Sequence, residues 1–264
     1  MTEYIHAAIL GVVQGIAEFL PISSSGHLVI AGELLNQVAG TQVPTESATL
    51  SIALHFGTLL SIAVVYRREL LPVLRDIRMM ALIVLATIPV GVVGLLLKDH
   101  VDAVFNTPLL AGEALIVTAA FLLIGRQLQH RREASPEIGP LSAGLIGIFQ
   151  AIAIVPGISR SGSTIAAGLA CGLSREQAAR FSFLIAIPAI GGASLVTAKD
   201  LLTQETAVDS NLTAVLLGTL IAFAVGVATL SWLLRIVTAD RLHWFAGYCL
   251  AVGIATIGWQ LCIR

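Results

Sequence analysis

Charged residues are scarce in this sequence. Only 12% of its 264 residues are Asp, Glu, Lys or Arg, whereas soluble domains carry roughly 25%. Hydrophobic residues make up 56%, and the mean hydropathy is +0.91. A soluble chain of this length would need far more polar surface to cover its core, so the apolar excess must face lipid. The composition therefore excludes an ordinary soluble domain and indicates an integral membrane protein.

The sequence also lacks an excess of positive charge and a cysteine framework. A net charge of -1 gives no reason to expect a nucleic-acid partner. Its three cysteines, Cys171, Cys249 and Cys262, are not at metal-ligand spacing, and two lie in apolar runs, which favours packing over disulfides. The first residues have no basic segment and no small-residue cleavage site, so a cleaved signal peptide is not expected.

The sequence has long apolar runs instead. Six of them could cross about 30 Å of hydrocarbon as helices, and they lie near 50–66, 80–97, 109–125, 181–198, 212–234 and 243–262. Pro89 and Pro188 lie inside two of these runs, where neighbouring helices can accommodate a kink.

Arginine is distributed unevenly among the loops that connect these runs. It is concentrated in four of them, as Arg67, Arg68, Arg75, Arg78, Arg126, Arg131, Arg132, Arg175, Arg180, Arg235 and Arg241. Segment 33–49 has no Lys or Arg, and 98–108 and 199–211 have one Lys each. The positive-inside rule places the arginine-bearing loops in the cytoplasm. Alternation then requires the apolar segments 5–32 and 139–172 each to enter and leave the membrane on one side.

Those two apolar segments are copies of each other. A shift of 136 residues aligns GVVQGIAEFLPISSSGHLVIAG with GIFQAIAIVPGISRSGSTIAAG. Each copy is followed by three spans, and an odd number forces the copies into opposite orientations, as in inverted-repeat transporters. We therefore predict one all-α polytopic membrane domain, 1–264, with six transmembrane helices and two re-entrant helical hairpins. Repeat one covers about 1–130 and repeat two about 139–264.

Each re-entrant segment carries polar groups at its centre. The first has Gln14, Glu18, Ser23, Ser24, Ser25 and His27, and the second has Gln150, Ser159, Arg160, Ser161, Ser163 and Thr164. An ionisable group at membrane depth costs about 3 kcal/mol on insertion scales, so it is expected to face a cavity and to have a partner. Half-helix starts, hydroxyls and a guanidinium together make an anion site. We expect Arg160 to lie near Glu18, Ser24 and His27.

A carboxylate, an imidazole, hydroxyls and an anion clamp are sufficient for phosphoryl transfer to a serine or to water. The copies have diverged, because Glu18 and His27 correspond to Ile154 and Ser163. Structural interpretations stay open. Small residues such as Ser25, Ser161 and Ser163 also serve helix packing. The alternative structural roles are caps for freed backbone groups for Gln14 and Gln150, and an ion pair for Glu18 and Arg160. His55 is interpreted as a packed or pore-lining histidine rather than a catalyst.

The segments QGIAEFLPISSSGH (14–27) and PGISRSGST (156–164) resemble the two signature segments of bacterial undecaprenyl-diphosphate phosphatases of the bacitracin-resistance type. The resemblance covers essentially the whole chain. It implies hydrolysis of undecaprenyl diphosphate to undecaprenyl phosphate and inorganic phosphate, which recycles the lipid carrier for cell-wall synthesis. It further implies a polyprenyl diphosphate and membrane lipids as partners, a location in the bacterial cytoplasmic membrane with the site open to the outer face, and it allows a homodimer.

Carried over by position, the resemblance implies catalytic roles for Glu18, Ser24, His27 and Arg160. It implies substrate binding by Gln14, Ser23, Ser25, Ser159, Ser161 and Thr164. It also implies a divalent cation, Mg²⁺ or Ca²⁺. Because Gln14 stands where many members have Glu, Glu18 is the one local carboxylate that could ligate it, and we expect the cation to bind with the diphosphate.

Two further alternatives concern the mechanism and the function class. Ser24 is the preferred nucleophile, and direct attack by water is the rival mechanism. A flippase or transporter of lipid phosphates, suggested by the inverted repeat, and a non-enzymatic anion-binding membrane protein are the rival functions. Glu18 and His27 favour the enzyme, because an anion clamp alone gains little from a nearby carboxylate.

Overall fold

The computed structural model describes residues 2–39, 48–105, 107–129, 137–203, 211–238 and 240–263. Within these residues the secondary structure is helical and contains no β-strand. The helices are α1 (Thr2–Ala17), α2 (Ser24–Ala39), α3 (Ala48–Val65), α4 (Arg67–Arg75), α5 (Ile77–Phe105), α6 (Pro108–Gln129), α7 (Pro140–Ile152), α8 (Arg160–Ala170), α9 (Arg175–Thr203), α10 (Leu212–Thr238) and α11 (Leu242–Ile263).

Long apolar helices confirm the prediction of an all-α polytopic membrane protein. Five of the described helices, α5, α6, α9, α10 and α11, are long and apolar enough to cross a membrane. The predicted run 50–66 coincides with α3, which is followed after Tyr66 by α4 at a bend of 83°. If α3 and α4 are counted as one broken span, the number of candidate spans rises to six.

Both predicted re-entrant segments are pairs of short helices separated by a break. We call residues 18–23, between α1 and α2, loop one, and residues 153–159, between α7 and α8, loop two. Helix α1 ends at Ala17, four residues before Pro21. Helix-type bonding nevertheless continues to the Leu20 amide, which donates to the Ile16 carbonyl at 3.3 Å. The next residue, Pro21, has no N–H to extend it.

The helices pack in matched pairs. Helix α6 packs against α11 and α3 packs against α9, while α1 packs on α10 and α7 packs on α5. The sequence repeat equates α1 with α7, α3 with α9, α5 with α10 and α6 with α11. Under this exchange the contact between α1 and α10 corresponds to that between α7 and α5, and the other two contacts each correspond to themselves. The division into about 1–130 and 139–264 falls close to residues 130–136, which lie outside the described part of the chain, and it stays a prediction.

Arginines from the different loops meet at one end of the helix bundle. Arg126, at the end of α6, and Arg175, at the start of α9, both pair with Asp240, just before α11, at 3.2 Å and 2.9 Å. Arg180 of α9 pairs with Glu69 of α4 at 2.8 Å. The arginine-bearing connections therefore share one end, which the positive-inside rule assigns to the cytoplasm.

Candidate active site

Each loop ends in a serine that caps the following half-helix. Ser159 Oγ accepts a hydrogen bond from the Gly162 amide at 3.0 Å, and Ser23 Oγ accepts one from the Gly26 amide at 3.3 Å. A serine is favoured here because its side chain satisfies one of the amides left free at a helix start. The two caps occupy equivalent positions in the repeat, so the same local chemistry begins α2 and α8.

The two loops are in direct contact. A Cβ atom added to Gly26 would lie 2.7 Å from the Gly157 Cα, so the backbones approach more closely than any side chain would allow. The Gly157 amide donates to Ser23 Oγ at 3.1 Å, and Ser161 Oγ donates to the Leu20 carbonyl at 3.1 Å. The loops of the two copies therefore form one continuous polar unit, as the repeat led us to expect.

Glu18 lies at the centre of this unit. Its Oε1 accepts a hydrogen bond from Arg160 Nη2 at 2.6 Å, and its Oε2 accepts one from Ser24 Oγ at 2.7 Å and another from Gln14 Nε2 at 3.0 Å. The residue is buried, with 7% of its surface exposed. Three of the predicted site residues thus converge on one carboxylate, and they come from both copies of the repeat.

Arg160 is fixed by α9 as well as by Glu18. Its Nη1 donates to the Ser182 carbonyl at 3.3 Å, while the Ser182 hydroxyl lies 2.6 Å from Thr164 Oγ1. Thr164 in turn donates to the Arg160 carbonyl at 2.8 Å. These contacts engage two of the five N–H donors of the guanidinium. The remaining donors are the groups that can bind a phosphate.

His27 lies on the same half-helix as Ser24 but contacts other partners. Its Nδ1 lies 2.8 Å from the Ser23 carbonyl, which can only accept, so the proton is assigned to Nδ1. Nε2 then accepts from the Tyr248 hydroxyl at 2.9 Å, and the two rings stack with centroids 5.6 Å apart. Both ring nitrogens are therefore engaged away from Glu18 and Arg160, which differs from the expected cluster.

The other predicted polar residues bond mainly within the scaffold. Ser25 Oγ lies 3.4 Å from Ser23 Oγ, and Ser161 Oγ lies 3.3 Å from Ser159 Oγ. Gln150 Nε2 donates to the Ala86 carbonyl at 3.2 Å, which favours its interpretation as a cap for free backbone. Ser163 is buried, and its hydroxyl has no hydrogen-bond partner in the described part of the chain.

Three residues that the sequence did not assign to the site also contact it. His55 Nε2 lies 3.9 Å from Glu18 Oε2, while its Nδ1 donates to the Ser51 carbonyl. Tyr248 bonds His27, as described above, and Thr118 bonds the backbone of loop two. Of these three residues, only His55 could have been recognised from the sequence, because an ionisable group inside an apolar run indicates a functional position by default.

The protein groups at the site do not form a cage for the implied divalent cation. Mg²⁺ and Ca²⁺ take six or more oxygen ligands. Among the described residues, no group of three or more His, Cys, Asp or Glu side chains is placed to hold a metal ion. Glu18 is the one carboxylate among the residues that form this cluster, and both its oxygens already accept hydrogen bonds. The described side chains therefore do not by themselves supply the ligands that such a cation needs.

Comparison with known proteins gives a consistent result over almost the whole chain. Residues 7–255 match the family described as Bacitracin resistance protein BacA. The chain is 47% identical over 251 residues to an undecaprenyl-diphosphatase of Rhodopirellula baltica, with 95% of both chains covered. It is 38% identical to an enzyme of the same name from Desulforapulum autotrophicum, covering 95% of this chain and 96% of the relative. The chain belongs to the bacitracin resistance protein BacA family.

Proposed function

We propose that this membrane protein hydrolyses undecaprenyl diphosphate to undecaprenyl phosphate and inorganic phosphate. Relatives that share up to 47% of its residues along nearly the full length carry the name undecaprenyl-diphosphatase. The observation that carries the proposal is the arrangement around Glu18, where Ser24 Oγ and Arg160 Nη2 lie 2.7 Å and 2.6 Å from the two oxygens of one carboxylate. A nucleophile, its base and a phosphate ligand are thereby assembled in a single buried cluster.

In the proposed first step, the Ser24 hydroxyl attacks the terminal phosphorus. Glu18 Oε2 is the base, since it already accepts the Ser24 hydrogen bond at 2.7 Å and can take the proton as the new P–O bond forms. The bond between that phosphorus and the bridging oxygen breaks, and undecaprenyl phosphate leaves with the electron pair. Arg160 and the amides at the start of α8 stabilise the charge on the equatorial oxygens.

In the second step, water hydrolyses the phosphoserine. Glu18 returns its proton to Ser24 Oγ as the P–O bond to the serine breaks, and a base removes a proton from the water. His27 is our candidate for that base once the Tyr248 hydroxyl is displaced from Nε2. Direct attack of water on the substrate is the rival mechanism, and it requires no covalent intermediate.

The cation belongs to the substrate in this proposal. A divalent ion bound together with the diphosphate would neutralise part of its negative charge, and Glu18 would then stay available for proton transfer. Arg160 supplies the protein's own positive charge. Gln14, Ser23, Ser25, Ser159, Ser161 and Thr164 contribute the surrounding hydroxyls and amides that shape the diphosphate site.

The contacts support a site at intermediate depth in the membrane. His55 lies seven residues after the start of α3, and the other end of α3 is followed by Arg67 at the start of α4. Ser182 lies seven residues after the arginine-bearing start of α9. Both helices thus reach the site from opposite sides, as expected at the interface of an inverted repeat. We propose that the protein resides in the bacterial cytoplasmic membrane with the site open to the outer face. A homodimer stays a prediction from the resemblance.

Phosphate release from a polyprenyl diphosphate by detergent-purified protein tests the function. We expect release in the presence of Mg²⁺ or Ca²⁺ and its loss in the Glu18→Gln variant. Lipid transport without phosphate release, or anion binding alone, would contradict the proposal. The proposed catalytic residues, Glu18, Ser24, His27 and Arg160, and the names of the relatives favour hydrolysis over transport.

Single-turnover quenching tests the nucleophile separately. A phosphorylated Ser24 should be trapped before the second step is complete, and Ser24→Ala should abolish both the intermediate and turnover. Ser231→Ala is the matched control and should keep both, because that hydroxyl donates to the Val227 carbonyl of its own helix and to no residue of the site among the described hydrogen bonds. Near-normal turnover of Ser24→Ala would establish direct attack by water.

A further inference from the structure

We propose that Thr118 is a positioning residue for the reaction, because its buried hydroxyl fixes loop two and thereby the place of Arg160 relative to Ser24. This inference rests on the proposed hydrolysis and adds a residue to it that touches neither the substrate nor the reacting atoms. Thr118 lies on α6, outside both signature segments, and no sequence pattern singles it out.

The Thr118 side chain makes two hydrogen bonds to the same loop. It donates to the Gly157 carbonyl at 2.8 Å and accepts from the Ser159 amide at 2.9 Å. It is fully buried, with 0% of its surface exposed. One hydroxyl thus holds the backbone on both sides of Ile158, immediately before Arg160. A buried hydroxyl that both donates and accepts gives a rigid contact, since a buried loop group left unpaired would lose its bond to water without gaining another.

The shape of α6 reinforces this contact. Gly157 has φ +99°, and a Cβ atom there would collide with the Ala111 carbonyl and lie 2.6 Å from the Ala114 Cβ. Ala111, Ala114 and Thr118 are spaced by three and four residues, so they share one face of the helix. Loop two therefore packs directly on α6. The two alanines contact Gly157, and the Thr118 hydroxyl bonds the loop between Gly157 and Ser159.

The same glycine connects Thr118 to loop one. The Gly157 carbonyl accepts from Thr118, while its amide donates to Ser23 Oγ at 3.1 Å. Ser23 directly precedes Ser24. A chain of hydrogen bonds thus runs from the Ser159 amide through Thr118 and Gly157 to Ser23, and its two ends are the residues before Arg160 and before Ser24. The chain sets the separation of the phosphate ligand and the nucleophile.

The other repeat has no equivalent hydroxyl. A shift of 135 residues aligns Ala111-Gly112 of α6 with Ala246-Gly247 of α11, and it places Gly253 opposite Thr118. Among the described residues, the hydrogen bond between α11 and loop one runs from Cys249 Sγ to the Pro21 carbonyl at 3.6 Å, and a thiol is a weak donor. Of these two contacts, the one on α6 holds its loop more firmly, so α6 is the element that fixes the two loops in register.

Steady-state kinetics of three variants test this role. Thr118→Val keeps the shape and removes the hydroxyl, Thr118→Ser keeps the hydroxyl, and Thr219→Val makes the same change at a threonine that donates only to the Val215 carbonyl of its own helix among the described bonds. We expect Thr118→Val to lower kcat about 10- to 100-fold with less than about a threefold change in KM, because small misplacements of reacting groups act on the transition state. Thr118→Ser should stay within about threefold of wild type, and Thr219→Val should match it.

The outcomes separate the inference from the function. If wild type releases phosphate and Thr118→Val keeps its kcat within about twofold, or if Thr118→Ser is as impaired as Thr118→Val, the positioning role is wrong. If wild type releases none, the proposed function itself fails. Should Thr118→Val not fold, as judged by size exclusion in detergent, Thr118→Ala removes the same hydroxyl without adding bulk and is compared with Thr118→Ser by the same criteria.

A double-mutant cycle tests the chain itself. Ser23→Ala removes the acceptor of the Gly157 amide, so Ser23→Ala and Thr118→Val disrupt two links of one chain. We expect the combined loss in kcat to be at least threefold smaller than the product of the single losses, since contacting residues in one network are not additive. A combined loss equal to that product would show that the two links act independently, and the chain would be rejected.

Discussion

The two re-entrant loops have the same repeated sequence pattern, but they differ in which residue adopts the left-handed backbone conformation. In loop two, the cap Ser159 has φ -70°, and the left-handed conformation falls on Gly157, which adopts it without penalty. In loop one, the left-handed conformation falls on Ser23 itself, at φ 71°. A residue with a side chain costs about 1–3 kcal/mol there, so loop one is strained where loop two is relaxed.

The chemistry is divided in the same way. Loop one leads from Glu18 to Ser24 and His27, the groups that would exchange protons and form a bond. Loop two leads to Arg160, which would hold the phosphate. A reactive segment tolerates strain because neighbouring contacts hold its unusual geometry, whereas a ligand-binding segment benefits from a firm anchor such as Thr118. The comparison suggests that divergence of the copies separated reactivity from binding.

The largest expected effect comes from removing the carboxylate of loop one. Glu18→Gln eliminates the proposed base and leaves the Arg160 guanidinium without its charge partner, so kcat/KM for phosphate release should fall by about 10³-fold or more. The matched change in loop two, Ile154→Val, alters the equivalent position and should leave kcat/KM within about twofold. Equal effects at the two positions would contradict the division of roles.

Changing the clamp of loop two should have the next largest effect. Arg160→Lys keeps the charge but loses the planar guanidinium, which donates to Glu18 and to the Ser182 carbonyl at the same time. We therefore expect kcat/KM to fall about 10²-fold. Arg67→Lys, at an exposed arginine that bonds the Val64 carbonyl, is the control and should be neutral. A lysine variant with wild-type kinetics would mean that only charge is needed at position 160.

A smaller effect is expected from the partner of His27. Tyr248→Phe keeps the stacked ring and removes the hydroxyl that donates to Nε2 at 2.9 Å. One net hydrogen bond contributes about 0.5–1.5 kcal/mol, and this one must break before Nε2 can act as the base, so kcat should rise about three- to tenfold if His27 takes part in the reaction. Tyr4→Phe, which removes a hydroxyl bonded to Asn211, provides the control. An unchanged kcat in Tyr248→Phe would place His27 outside the chemistry.

The sequence predicted much of the fold because a lipid environment restricts the available structures. Apolar runs of about 20 residues must be helices, and the distribution of arginine indicates which end of each helix lies on the cytoplasmic side. The repeat predicted two segments that are each interrupted at the centre and whose loops meet, and the structure places loop one against loop two. Polar residues in the breaks pointed to Glu18, Ser24 and Arg160, and these three do converge.

Thr118 and Tyr248 could not be predicted as parts of the site from the sequence, for a reason that they share. Thr118 contacts Gly157, 39 residues away, and Tyr248 contacts His27, 221 residues away. A threonine or tyrosine within an apolar helix has many ordinary uses, and its partner depends on how the helices cross rather than on local pattern. The same holds for His27, whose position in the motif was clear while the direction of its ring was not.

The smallest expected effect is on stability and tests the strain in loop one directly. Ser23→Gly and Ser159→Gly both remove a capping hydroxyl, but only the first relieves a left-handed serine. Relief offsets part of the lost hydrogen bonding at Ser23, so Ser159→Gly should be the more destabilising change by about 1 kcal/mol. Thermal unfolding in one detergent measures this as a lower Tm for Ser159→Gly than for Ser23→Gly. Equal Tm values, or the opposite order, would show that Ser23 carries no strain, and the contrast between a strained reactive loop and a relaxed clamp loop would then rest on their hydrogen bonds alone.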